Sequence, residues 1–178
     1  MRSITRFIST FCIALLFSLF VGCIDDDGYK DFELGRGEAL PNFSIVNNLS
    51  DTITTSDFKG KIGIIVFFNT SCPDCRAELP VVQRVYERYA SDSDYLFICI
   101  SRGESVESVS AFWNEQGLTI PYSAQSSKSV FNKFASHTVP RIFISDRRGV
   151  VAASFDDNPI ASETDLLSSI RSVAEASE

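Results

Sequence analysis

The period of the apolar positions changes several times along the chain. "GKIGIIVFF" is a continuous β-branched and aromatic run, so it predicts a buried central strand. From Pro73 to about Ala90, Leu79, Val82, Val85, Tyr86 and Tyr89 recur at helical spacing. "DYLFICIS" is a second continuous run and predicts a second central strand. "ESVESVSAFWNEQG" predicts a helix with Val106, Val109, Phe112 and Trp113 on one side and Gly117 as its stop.

The shorter segments fill in the order. "NFSIVNNLSDTIT" places Phe43, Ile45 and Ile53 around Asn47-Asn48 and predicts a short hairpin. "LTIPYSAQ" is extended, with Pro121 arguing for an edge or a loop, and "SKSVFNKFASH" reads as a short helix. "RIFISDRRGVVAASF" predicts two strands joined by Asp146-Arg147-Arg148-Gly149. "SETDLLSSIRSVAEA" closes the chain as an amphipathic helix capped by Ser162. Hairpin, βα, βα, strand-helix insert, ββ, α is the order of a layered α/β domain: one mixed sheet, helices on both faces, an antiparallel C-terminal hairpin.

The N-terminus does not share this pattern. "MRSITR" is basic, and "FISTFCIALLFSLFVG" carries no charge and falls short of the ~20 residues of a membrane span. Cys23 follows. "LFVGC" resembles the end of a bacterial lipoprotein signal, which implies a signal peptide over 1–22, lipidation at Cys23 and a lipid anchor in the cell envelope. "IDDDGYKDFELGRGEALP" then reads as an acidic tether over 23–39, similar to that of some Bacteroidetes surface lipoproteins, leaving 40–178 as the folded domain. The protein is expected to face the periplasm or the cell surface.

The chain has 178 residues, 44% of them hydrophobic, which suits one domain with a full core. Its net charge is −7, and no basic stripe interleaves with aromatics, so nucleic-acid binding is excluded. Of five cysteines, Cys12 lies in the leader, Cys23 is the expected lipid site, and Cys99 sits inside an apolar run as a core residue. Cys72 and Cys75 remain. A closed zinc site needs four ligands, and one cysteine pair with a single histidine, His137, does not supply them.

"NTSCPDCRAELP" places this pair where a strand ends and a helix begins. Pro73 suits the first helical position, and the unpaired N–H groups of the helix end favour negative charge on the Cys72 sulfur. Cys75 lies one turn further in and can attack a mixed disulfide formed on Cys72. Asp74 between them opposes that charge.

"FFNTSCPDCRAELP" resembles the active-site segment of the thioredoxin superfamily, in particular the TlpA/ResA-type thiol-disulfide oxidoreductases. "HTVPRIFISDRRGVV" resembles the segment that carries that family's cis-proline, here Pro140. The resemblance covers roughly residues 40 to 175. It implies a thioredoxin-like fold with an N-terminal hairpin and a strand-helix insert. It also implies a monomeric enzyme with no cofactor beyond a redox-active Cys72–Cys75 disulfide, and no metal. Cys72 would be the nucleophile and Cys75 the resolving thiol. The Val139 backbone would pair with an extended substrate segment at Pro140.

Glu78 matches the glutamate of the "CxxCxxE" pattern and is expected to move protons at the cysteines with a raised pKa. The partners implied are disulfide-containing envelope proteins and an upstream electron donor. The chain departs from the pattern at Val66, where thioredoxin has a buried aspartate, at Ser71, often tryptophan, and at Asp74. These departures point to a reductant or mild exchanger. Two alternatives stay open. One is a peroxiredoxin-type thiol peroxidase, which would place threonine where Asn69 stands. The other is a copper-binding chaperone using Cys72, Cys75 and His137.

Overall fold

The computed structural model describes residues 32–177. The leader, Cys23 and the start of the expected tether lie outside the described residues. Seven strands and three α-helices follow the predicted order: β1 Ser44–Val46, β2 Thr52–Thr54, β3 Ile62–Phe68, α1 Pro73–Tyr89, β4 Tyr95–Ser101, α2 Val106–Gln116, β5 Tyr122–Ser123, β6 Arg141–Ser145, β7 Val151–Phe155 and α3 Glu163–Glu175. β1 and β2 form the hairpin, in antiparallel register Ile45↔Ile53. The other strands make a mixed sheet in the order β5-β4-β3-β6-β7. β4 runs parallel to β3 and to β5, whereas β6 is antiparallel to β3 and to β7.

β3 is central, and all seven of its residues are buried. Its Ile64, Val66 and Phe68 point to the face covered by α1 and α2. There Phe68 packs 4.9 Å from Trp113 of α2, and Tyr86 of α1 packs 5.6 Å from Phe97 of β4. The β3-α1-β4 and β4-α2-β5 connections step the same way along the sheet, and right-handed crossovers put both helices on one face. α3 packs against α1 and joins them there.

Helices on both faces are therefore not what the chain builds. The opposite face, that of Ile65 and Phe67, is closed by aromatic rings. Phe67 lies 5.4 Å from Phe131 and 4.9 Å from Phe134, and Phe43 bridges Phe134 and Phe58 at 5.6 and 5.9 Å. The segment "SKSVFNKFASH", expected as a helix, forms only a 3-10 turn at Phe131–Lys133. Side chains three residues apart eclipse in a 3-10 turn, and this aims Phe131 and Phe134 together into the sheet. Gly63 belongs to the same face. A Cβ there would overlap the Phe58 ring and the Ser145 hydroxyl, so the glycine lets that ring approach the strand closely.

Two further expectations are corrected. Val106 opens α2 and is 60% exposed; the helix buries Val109, Phe112 and Trp113 instead. The boundary expected at residue 40 lies earlier. Leu34 and Leu40 are buried, Glu33 pairs with Ala135, and Ala39 pairs with Val150. The Leu34 N–H donates to the Phe134 carbonyl at 2.7 Å and the Leu40 N–H to that of Gly149 at 2.9 Å. These backbone bonds and two apolar anchors hold the segment on the domain despite its charges. Among the described residues no helix is long and apolar enough to cross a membrane.

Candidate active site

β3 delivers the chain to the site, and the residues after it set the geometry. The Asn69 carbonyl accepts from the Cys72 N–H at 3.1 Å, and the Asn69 side-chain oxygen accepts from the Ser71 N–H at 3.0 Å. Glu104, just beyond β4, accepts from the Thr70 N–H at 3.0 Å and from the Thr70 hydroxyl. Parallel strands end side by side, so residues just past β3 and just past β4 meet. Arg76 adds a bond to the Thr70 carbonyl at 3.2 Å and lies 4.9 Å over the Phe112 ring. The approach to Cys72 is thereby tied from both sides.

Cys72 is the N-cap of α1, with Pro73 as the first helical residue. It is half-buried, and its thiol donates to the Val139 carbonyl at 3.3 Å. The Val139–Pro140 peptide bond is cis, and Val139 is buried. The two distant segments singled out in the sequence thus meet at one sulfur. Cys75, one turn inside, is fully buried, and its sulfur accepts from the Asn69 N–H at 3.4 Å. Burial pushes its thiol above the ordinary cysteine range, and the Asn69 hydrogen bond offsets only part of that rise. Cys99 is buried in β4, and burial pushes its thiol up as well.

Glu78 follows Cys75 by one turn and is only 1% exposed. Its Oε1 accepts from the Ala161 N–H at 2.7 Å, while Oε2 is buried without a hydrogen-bond partner. Burial pushes the carboxyl up to about 7. The Ala161 bond works against the rise, and the charges of Asp74 and Asp157 add to it. The Glu78 charge in turn acts on both Cys75 and Cys99. Val66, where thioredoxin has its aspartate, is buried and apolar, so Glu78 is the acid beneath this pair.

Several positioning residues escape a reading of the sequence. Arg141, next to Pro140, holds the Thr138 carbonyl and hydroxyl at 3.3 and 3.1 Å and pairs with Glu33 at 2.9 Å. It also reaches Asp156 at 3.6 Å, linking the Thr138–Pro140 turn to the loop that supplies Ala161. The only available signal was an arginine beside the proline in an otherwise apolar strand. Glu104 and Ala161 carry no local signal. Among the described residues no group of three or more His, Cys, Asp and Glu side chains is arranged to hold a metal ion.

This is the fold and site of a thioredoxin-like thiol-disulfide protein. The AhpC/TSA family model matches residues 36–154, and the chain belongs to that family. It is similar to the thiol-disulfide oxidoreductase ResA of Bacillus thuringiensis, 26% identical over 115 residues that span 65% of this chain and 66% of the relative. It is also similar to ResA of Bacillus cereus, 26% identical over 141 residues that span 78% and 81% of the two chains. The crystal structure of a thioredoxin-family thiol:disulfide interchange protein from Chlorobium tepidum superposes with a TM-score of 0.67. It is 25% identical, covering 78% of this chain and 97% of that one. The resemblance read from the two motifs, the thioredoxin-like fold and the enzyme class are those of these relatives.

The position of Glu78 has a measurable consequence. Its carboxyl titrates near 7 in the fold and near 4.3 in an unfolded chain. Between those values the folded state holds the extra proton, so the stability this group contributes is full below about pH 4 and is lost as pH rises through about 7. Charging it in place costs on the order of 3 kcal/mol. Glu78→Gln keeps the acceptor for Ala161 and removes the titration. Urea midpoints measured from pH 5 to 8 should therefore fall for the natural chain relative to the variant. Parallel curves would place the Glu78 titration outside this window.

Proposed function

We propose that this chain is an envelope-anchored thiol-disulfide oxidoreductase that reduces disulfides of partner proteins through Cys72 and Cys75. The observation that carries the reading is the asymmetry of the pair. The Cys72 sulfur is half-buried at a helix end against the Val139 carbonyl, while Cys75 is closed inside above an acid. A partner can reach only the first sulfur directly.

Cys72 loses its proton and its sulfur attacks one sulfur of the partner's disulfide. The partner's S–S bond breaks, and its other sulfur leaves as a thiolate and takes up a proton. The Val139 carbonyl, freed of the Cys72 thiol, accepts from a backbone N–H of the extended partner segment beside Pro140. Cys75 then passes its proton to the Glu78 carboxylate and attacks the Cys72 sulfur, expelling the second partner sulfur, which is protonated in turn. The partner gains two electrons and two protons. Cys72–Cys75 is left as a disulfide, and an upstream dithiol donor is oxidised to restore it. Glu78 suits the proton step because a carboxyl near 7 is present in both forms at neutral pH.

The cysteine roles predict different trapping. Cys75→Ser should accumulate mixed disulfides with partner proteins, visible on non-reducing gels, and Cys72→Ser should not. Equal trapping by both variants would contradict the assignment. For Glu78, resolution of a preformed mixed disulfide should slow roughly tenfold or more in Glu78→Gln at neutral pH and recover as pH rises and Cys75 ionises unaided. Superimposable rate profiles would leave Glu78 as a buried acid without a part in the reaction. The anchor rests on the order basic, apolar, Gly22, Cys23 at the N-terminus. Cys23→Ala should move the protein out of the lipidated membrane fraction or block maturation; unchanged lipid labelling would overturn it.

A further inference from the structure

Beside the Cys72 sulfur the surface opens into a groove of about 480 Å³, walled by Cys72, Val139, Thr138, Arg102 and Lys128 among others. In a chain with 23 acidic and 16 basic residues, the only charged side chains on these walls are the two cations. Arg102 lies with its guanidinium 4.7 Å over the Phe131 ring, and its Nε is buried without a hydrogen-bond partner. Lys128 stands beside the same segment, its stem close enough to Gly103 that a Cβ there would sit 3.6 Å from Lys128 Cγ. Among the described residues neither cation has a carboxylate at ion-pair distance.

The nearby acids are turned elsewhere. Glu104 is bound to Thr70, and Asp157 accepts from the Thr138 hydroxyl at 3.2 Å. Asp74 and Asp157 place their charge towards Glu78. Neither Asp74 nor Asp157 lines the groove, whose charged walls are Arg102 and Lys128.

We propose that this groove takes an extended segment of the protein substrate bearing an acidic side chain next to the disulfide-bonded cysteine, its carboxylate held by Arg102 and Lys128. The inference rests on the reductase reading and adds the class of segment that reads the groove. A guanidinium already fixed on an aromatic ring loses little freedom when it pairs with a carboxylate, and its planar fork matches that group. Lys128, exposed at the rim, steers the same charge towards Cys72.

The test uses the reduced full chain and three synthetic peptides, each with one cysteine in a mixed disulfide with 2-mercaptoethanol. They differ only in the flanking residue: glutamate, glutamine or lysine. Second-order rates of peptide reduction are measured at low and high salt. The glutamate peptide should react about tenfold faster than the glutamine peptide, the lysine peptide slowest, and salt should compress the series. Arg102→Gln and Lys128→Gln should each bring the glutamate-to-glutamine ratio towards one. Lys128 is exposed, so its variant keeps the test sound even if loss of Arg102 loosens the packing on Phe131. Equal rates for all three peptides, or a ratio unchanged in both variants, would overturn the inference while leaving the reductase reading intact. Failure to reduce any peptide with an intact dithiol would sink both.

Discussion

The whole arrangement depends on β3 being apolar on both faces. A strand of this kind has to be flanked on each edge and covered above and below. The chain meets that demand with β4 and β6 on the edges, three α-helices on one face and a layer of phenylalanine rings on the other. Because its surroundings fix β3 so fully, its C-terminal end is a rigid point from which Asn69 to Cys72 are hung. The parallel β4 ends beside it and lends Glu104 to hold Thr70. The adjacent antiparallel β6 begins there and brings Val139 and Pro140 to the same place.

The two cysteines owe their difference to one turn of helix. At the N-cap of α1 a sulfur meets solvent and backbone; three residues later it is enclosed by the sheet and has an acid for a neighbour. Burying Glu78 with a single hydrogen bond is unfavourable for its charged form, and the fold accepts this through the Ala161 N–H alone. Arg141 bridges the turn at Thr138 and the loop around Asp156. The parts of the site that face the partner and the part that covers the acid are therefore mechanically joined.

Much of this was legible in the sequence, because it was carried by period and spacing. The unbroken run before Asn69, the helical recurrence from Leu79 to Tyr89 and the strand-to-helix seat of the cysteine pair each have a local signature. The segment from Glu33 to Ala39 reads as a tether because its composition is acidic and glycine-containing; its side-chain anchors are Leu34 and Leu40, and two apolar residues make no period. Phe131 and Phe134, three apart, fit a helix and a 3-10 turn equally well, and the sheet opposite decides between them. Glu104, Ala161 and Arg102 act through residues 29 or more positions away, a distance over which no pattern in a single chain speaks.

At one margin of the sheet Asn48 of the hairpin loop exchanges bonds with Tyr122 of β5, its N–H to the carbonyl at 2.8 Å and its side-chain oxygen from the N–H at 2.9 Å. At the other, Gly37 and Glu38 take both backbone groups of Val151 in β7 at 2.8 Å. An open sheet edge invites strand addition from other chains. With its own backbone bonded at both rims, the sheet offers another chain fewer places to zip on.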